Sequence, residues 1–219
     1  MDLSPLLITF KVSFAAAFFA TVTAIPAAGA VTGLKRGRSV ADALLSLPLV
    51  LPPTVVGFFL LILFGKNTAV GRMLEGLGIR VIFTAKGAAI ASAVVAFPII
   101  YRTARAAFEQ LDSDLIDVAR LIGYDKGRLL VKVFIPLSFH ELASGVIIAF
   151  ARAVGEFGAT IMVAGNIPGR TRTMSIAVYT AMQSGNRELA YAWTAVILCL
   201  SFAVLIALDL ISRRHVRKY

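Results

Sequence analysis

Cysteine, histidine, tryptophan and acidic side chains are all scarce in this chain, and each shortage removes a class of function. The single cysteine, Cys199, lies in an apolar run, which excludes an intramolecular disulfide and any cysteine metal cluster. Of the two histidines, His140 is followed by Glu141, but a zinc-protease helix would need a second histidine at position 144, where Ser144 stands; His215 belongs to a basic tail. No metal site and no Ser-His-acid grouping can be assembled within the apolar runs. A phosphate loop is missing too, because Gly65-Lys66 is followed by Asn67 and has no spaced glycine before it. The chain therefore reads as no enzyme, with no cofactor of its own.

Charge is sparse at 16% of residues, and it is unbalanced: 22 Lys and Arg against 12 Asp and Glu, for a net charge of +10. The basic residues are dispersed among apolar flanks without a nucleic-acid motif, so nucleic acid is not the expected partner. No basic stretch precedes a short apolar one at the start; the chain opens Met1-Asp2-Leu3-Ser4 and carries Lys11 inside the first apolar run. That run is expected to be a retained span rather than a cleaved leader. Nor is there an internal repeat of the kind that marks many secondary transporters.

Apolar sequence fills the rest. At 58% hydrophobic residues and a mean hydropathy of +0.85, the chain has too much apolar surface for a soluble domain of its length. Several runs approach the roughly 20 residues that cross a hydrocarbon core of about 30 Å, and they are continuous rather than alternating, which favours helices over a barrel. The expectation is one all-α membrane bundle over residues 1–219, with spans near 6–31, 47–64, 83–101, 137–164 and 190–211. Residues 174–182 could add a sixth, short inserted segment. The second span opens with Pro48, Pro52 and Pro53, so its start is expected to be kinked or unwound. Phe97-Pro98 suggests a kink in the third, and residues 65–86 read as a loop with a short interfacial helix.

Lys and Arg are unequally divided between the two sides. Thirteen fall at 35–38 (Lys35, Arg36, Arg38), 102–132 and 213–218, against seven at Lys66, Arg72, Arg80, Lys86, Arg170, Arg172 and Arg187. The richer side is expected to be cytoplasmic, placing the N-terminus outside and the C-terminus inside, with the excess attracting anionic membrane lipid.

Residues 109–136 form a charged island between two apolar runs. Residues 112–123 suit a short helix in which Leu115, Val118, Ala119 and Ile122 share one face, and Gly123 would stop it. A second amphipathic segment, 127–134, leads to Ile135-Pro136, where the chain is expected to re-enter the membrane. Such a helix pair needs a covering surface, either another protein or the lipid headgroups.

This island resembles the cytoplasmic loop of bacterial ABC importer permeases, whose pattern is Glu-Ala-Ala, three residues, Gly, nine residues and Ile-x-Leu-Pro. Here Asp117-Val118-Ala119, Gly123 and Val133-Phe134-Ile135-Pro136 keep that spacing throughout, with conservative changes. The likeness extends to the molybdate type through residues 47–57, 150–160 and 166–173, although Arg170 stands where relatives often have Glu, and sulfate permeases share part of the 150–160 region. The resemblance implies a type I importer permease with a coupling helix, paired with a second copy and served by two cytoplasmic ABC ATPase subunits that bind the ATP and Mg. It also implies an extracytoplasmic oxyanion-binding protein delivering molybdate or tungstate, with a sulfate or thiosulfate importer as the alternative. From other classes, an intramembrane enzyme with His140-Glu141 as its best foothold is the weaker alternative, and a passive channel or a scaffold is what composition alone leaves open.

Within the fourth apolar run, Arg152 and Glu156 are spaced to pair on one helical turn near the membrane midplane. An ion there costs at least about 2.5–3.5 kcal/mol on insertion scales, so pairing is expected. Two readings stand: a lock for the bundle, or the lining and gate of an anion path together with Pro52, Pro53, Gly155 and Gly158. Ile167-Pro168-Gly169-Arg170 has the residues of a type II turn, and Arg170 and Arg172 are candidates for contact with the binding protein.

Overall fold

A computed structural model describes residues 2–34 and 36–216, and side chains as far as residue 208. Lys35, Arg217 and Lys218, and the side chains of Arg213 and Arg214, all counted in the charge asymmetry, lie outside the described residues. Every regular element among them is helical. Three helices are long and apolar enough to cross a membrane, and five spans result if each of two sharply bent pairs counts as one.

The centre of the bundle is the pair α1 (Ser4–Thr32) and α5 (Ala85–Glu109). Ala16, Ala20, Ala24 and Ala28 recur every fourth residue on α1, and Ala88, Ser92, Ala96, Ile100 and Ala104 do so on α5; all are buried. Small side chains at this spacing let two backbones approach closely, which replaces the hydrophobic drive that lipid does not supply. Ile8 and Val12 meet Ala88 and Ala89 at one end, while residues 20–31 meet 96–108 at the other, so the two helices run parallel. The segment between them must therefore cross back.

That return is α2 (Arg38–Val50) and α3 (Pro53–Leu63), bent by 109° at Leu51-Pro52. The break falls where the proline pair was expected to put it, but Pro48 is accommodated inside α2. The short helix α4 (Ala69–Gly76) follows, capped by Thr68, whose hydroxyl accepts from the Gly71 N–H at 3.0 Å. Its Glu75 pairs with Lys66, and the ammonium holds the carboxyl below the usual carboxylate range.

Helix α5 continues past Pro98 to Glu109, eight residues beyond the expected end of the span, so Arg102 and Arg105 belong to the helix and not to the loop. The charged island then folds as α6 (Ser113–Leu121) and an unbroken helical stretch made of α7 (Lys126–Leu129), a π-helical turn at Leu130–Phe134 and α8 (Ile135–Leu137). The Ile135 N–H reaches back five residues to the Leu130 carbonyl. Pro136 has no N–H and would crowd the carbonyl four residues earlier in a regular helix, a conflict the wider turn relieves.

The chain bends by 82° into α9 (Phe139–Val154) at the buried Ser138, two residues later than Pro136 had suggested. The fourth apolar run is not one helix. It breaks at residues 155–157 and resumes as α10 (Gly158–Ala164). Residues 174–183, which could have been a sixth inserted segment, form α11 (Met174–Gln183), packed through Met174 and Ala177 on Trp193 of α12 (Arg187–Val216).

Helices α3 and α10 pack at van der Waals limit. A Cβ on Gly57 would lie 2.8 Å from the Ala159 Cα and 2.7 Å from the Met162 Cβ. Gly57→Val is expected to force these half-helices apart and lower stability by about 1–3 kcal/mol, measured as a fall in the unfolding temperature of the detergent-solubilised protein.

Candidate functional site

Two regions gather the residues singled out from sequence. The first is where the two broken helices meet. The N-terminus of α3 abuts the N-terminus of α10: a Cβ on Gly158 would sit 3.1 Å from the Pro53 Cβ and 3.2 Å from the Thr54 backbone N. Close approach thus explains Gly158. Gly155 has no such cause, since it is exposed and its added Cβ would meet nothing nearer than the Arg152 carbonyl oxygen at 4.0 Å. Pro52 is exposed beside the α3 start.

Arg152 and Glu156 do form an ion pair, at 2.7 Å, but across the break rather than along one helical turn. Arg152 lies in the last turn of α9, where the carbonyl ends favour a cation, and Glu156 precedes α10, where free N–H groups favour an anion. The Glu156 carboxylate also accepts the Ala159 N–H at 2.9 Å. Its side chain is only 1% exposed, whereas that of Arg152 is 36% exposed. The arrangement is a clasp over a helix break, with its carboxylate buried and its guanidinium partly exposed.

The second region is the helix pair on the opposite end of the bundle from the N-terminus. Asp112 and Asp125 cap α6 and α7 by accepting the Asp114 and Arg128 N–H groups at 2.9 and 2.7 Å. Gly123 ends α6 at φ +89°, with the Tyr124 N–H returning to the Ala119 carbonyl and its own N–H to that of Arg120, both at 3.0 Å. Only Ala119 of this helix is buried. Leu115, Val118, Leu121 and Ile122 are exposed, Leu121 at 86%. Asp117 is exposed and pairs with Arg120 at 2.9 Å. Val133 and Ile135 are half-buried in the π-helical stretch and Pro136 is exposed. The stretch is seated on α1, where a Cβ on Gly29 would lie 2.9 Å from the Leu130 Cδ1.

Beside these regions is a network that sequence reading did not find. Arg105 of α5 pairs with Asp42 of α2 and, at 2.6 Å, with Glu109; Arg38 pairs with the same Glu109. The Tyr101 hydroxyl donates to Asp42 at 3.1 Å. The group braces the first half of the broken second span against the helix that leads into α6. Asp42 and Arg105 are too far apart in sequence for any periodicity to pair them, and a lone acidic residue within residues 39–46 was the only available sign.

Arg170 and Arg172 are not brought together. Gly169 adopts φ +71° in the expected turn, closed by the Arg170 N–H on the Ile167 carbonyl at 3.1 Å. Arg172 donates to the Asn166 side chain at 2.8 Å, while Arg170 edges a cavity of about 600 Å³ with Lys66, Glu75 and Arg80. No group of three or more potential metal ligands occurs among the described residues.

Broken spans that meet at their helix starts, and a capped helix pair projecting from one face, define a polytopic all-helical membrane protein. The chain belongs to the family of binding-protein-dependent transport system inner membrane components, whose model matches residues 20–217. The molybdenum transport system permease protein ModB of Escherichia coli (strain K12) is 41% identical over 162 residues, 74% of this chain and 71% of that protein. The sulfate transport system permease protein CysT of the same strain is 32% identical over 212 residues, 96% of this chain and 76% of that one. In fold, the chain is similar to the methionine ABC transporter MetNI in an inward-facing conformation, with a TM-score of 0.73 at 18% identity over 96% of this chain and 94% of that one.

Proposed function

We propose that this chain is the membrane permease of an ATP-driven importer that carries molybdate, or the like-shaped tungstate, into the cytoplasm. The observation that carries the reading is helix α6. It is capped at both ends, held to the bundle through Ala119, and leaves Leu115, Val118, Leu121 and Ile122 uncovered. Burying a leucine stabilises by about 1.5–3 kcal/mol, so this face favours a protein cleft over solvent. The occupant is a cytoplasmic ABC ATPase subunit, which supplies the ATP and Mg chemistry.

Two copies of the chain stand over two such subunits, with N-termini outside and C-termini in the cytoplasm. An extracytoplasmic binding protein delivers the oxyanion, and Arg170, at the cavity edge, is the stronger of the two arginine candidates for contacting it. Closure of the ATPases moves α6 and the π-helical stretch, and Gly29 and the Arg38–Asp42–Arg105–Glu109 brace pass that motion to the spans. At the break, Arg152 attracts the dianion and Glu156 keeps it from being held, as passage requires weak binding. Molybdate is favoured over sulfate because identity to ModB exceeds identity to CysT.

Leu121→Asp puts a charge into the cleft contact. It is expected to abolish copurification of the ATPase subunit while the protein still inserts in the membrane. Undiminished copurification would overturn the docking assignment.

A further inference from the structure

We propose that the groove between α1 and α5, on the side of the N-terminus, binds one anionic phospholipid, with the headgroup phosphate on Lys11 and Lys86 and an acyl chain along the groove. A cavity of about 550 Å³ lies between the two helices, with Lys11 and Lys86 at its mouth and Val12, Ala15 and Ala89 along its wall. A second, of about 440 Å³, continues between Leu44, Pro48 and Phe97. Phe19 and Ile90 line both, so the second cavity follows the first along the same pair of helices. Its polar side chain Thr23 is satisfied internally, donating its hydroxyl to the Phe19 carbonyl at 2.7 Å.

Length and charge both select the occupant. From Lys86 to Phe97 the helix rises about 16 Å, close to the depth of one leaflet in a core of about 30 Å. Both lysines are exposed, and among the described residues neither has an acidic partner. Lys11 stands seven residues inside α1, about 10 Å along it, so its ammonium must reach up to a phosphate or remain unpaired at the edge of hydrocarbon. An anionic headgroup satisfies both cations at once. A zwitterionic one brings its own cation beside them. Nothing below the lysines offers donors to a free oxyanion, so the site is separate from the transport path proposed above.

The test is native mass spectrometry of the purified full-length protein in detergent, titrated with phosphatidylglycerol or phosphatidylcholine of the same acyl chains. Phosphatidylglycerol is expected to be retained at least about tenfold more strongly, since each basic residue near a lipid surface adds to anionic preference. Lys11→Gln with Lys86→Gln is expected to bring the two lipids to parity, with lipid-free unfolding temperature unchanged. Lys66→Gln with Arg72→Gln, on the same side but off the groove, is expected to keep the preference. Should the double variant fail to fold, each single variant is expected to lose part of the preference. No preference in the wild type, its survival without both lysines, its equal loss in the off-groove variant, or cross-linking between copies through Phe19→Cys would each overturn the proposal.

Discussion

Gly123→Val is expected to lose most ATP-driven uptake, and Gly123→Asn to retain most of it. The position has φ +89°, and a Cβ there would meet nothing within 4 Å, so conformation and not space sets the requirement. An L-residue pays about 1–2 kcal/mol in the left-handed region, and a β-branched one sits at the upper end, whereas asparagine enters it more readily. That cost is about a 5- to 30-fold loss of the correctly ended helix. Without that ending the Tyr124 and Gly123 N–H groups leave the Ala119 and Arg120 carbonyls, and the apolar face of α6 turns away from its proposed cleft. Asp117→Lys alone should do far less, because its pair with Arg120 is 60–65% exposed and such pairs contribute roughly 0–1 kcal/mol. Uptake assays with ATPase copurification separate these outcomes.

Glu156→Ala is expected to damage both stability and transport. It leaves the buried Ala159 N–H without its acceptor and Arg152 without its counter-charge. Removing one partner of a buried pair costs about 3–5 kcal/mol, but Arg152 is partly open to water, so about 2–3 kcal/mol is the expected loss in thermal unfolding. Glu156→Gln keeps an acceptor for Ala159 and should lose about half of that. Pairing Glu156→Gln with Arg152→Met removes the unbalanced charge and is expected to recover most of the stability. If the clasp is also part of the anion path, uptake stays low in that double variant; if it only locks the bundle, uptake returns with stability.

Sequence carried much of this architecture, for identifiable reasons. Helix α6 and its Gly123 stop were legible because apolar spacing and a helix-ending glycine are local signals, all within twelve residues. The break at Leu51-Pro52 was legible because prolines cannot continue a hydrogen-bonded ladder, though Pro48 shows that one proline can be absorbed within α2. The break at residues 155–157 was not legible. One glycine in Gly-Glu-Phe does not by itself end a helix, and the close approach of Gly158 to Pro53 and Thr54 joins residues about a hundred positions apart. For the same reason Arg152 and Glu156 were expected on one helical turn, when they clasp two helices. The bend at Ser138 was displaced from Pro136 because the π-helical turn absorbs the proline's missing donor. The brace around Arg105 joins residues whose partners are set only by the parallel packing of α1 and α5 and the return through α2.

The proposed coupling role rests on the capped helix α6 with its uncovered apolar face, and reconstitution tests that role most directly. Labelled molybdate uptake is followed into proteoliposomes holding this chain with its ABC ATPase subunit, the binding protein being outside and ATP inside the vesicles. Uptake that requires both ATP and the binding protein, and that collapses with Gly123→Val but not Gly123→Asn, is the expected result. Molybdate entry that proceeds equally without ATP, or is indifferent to the residue at position 123, would contradict the coupling role.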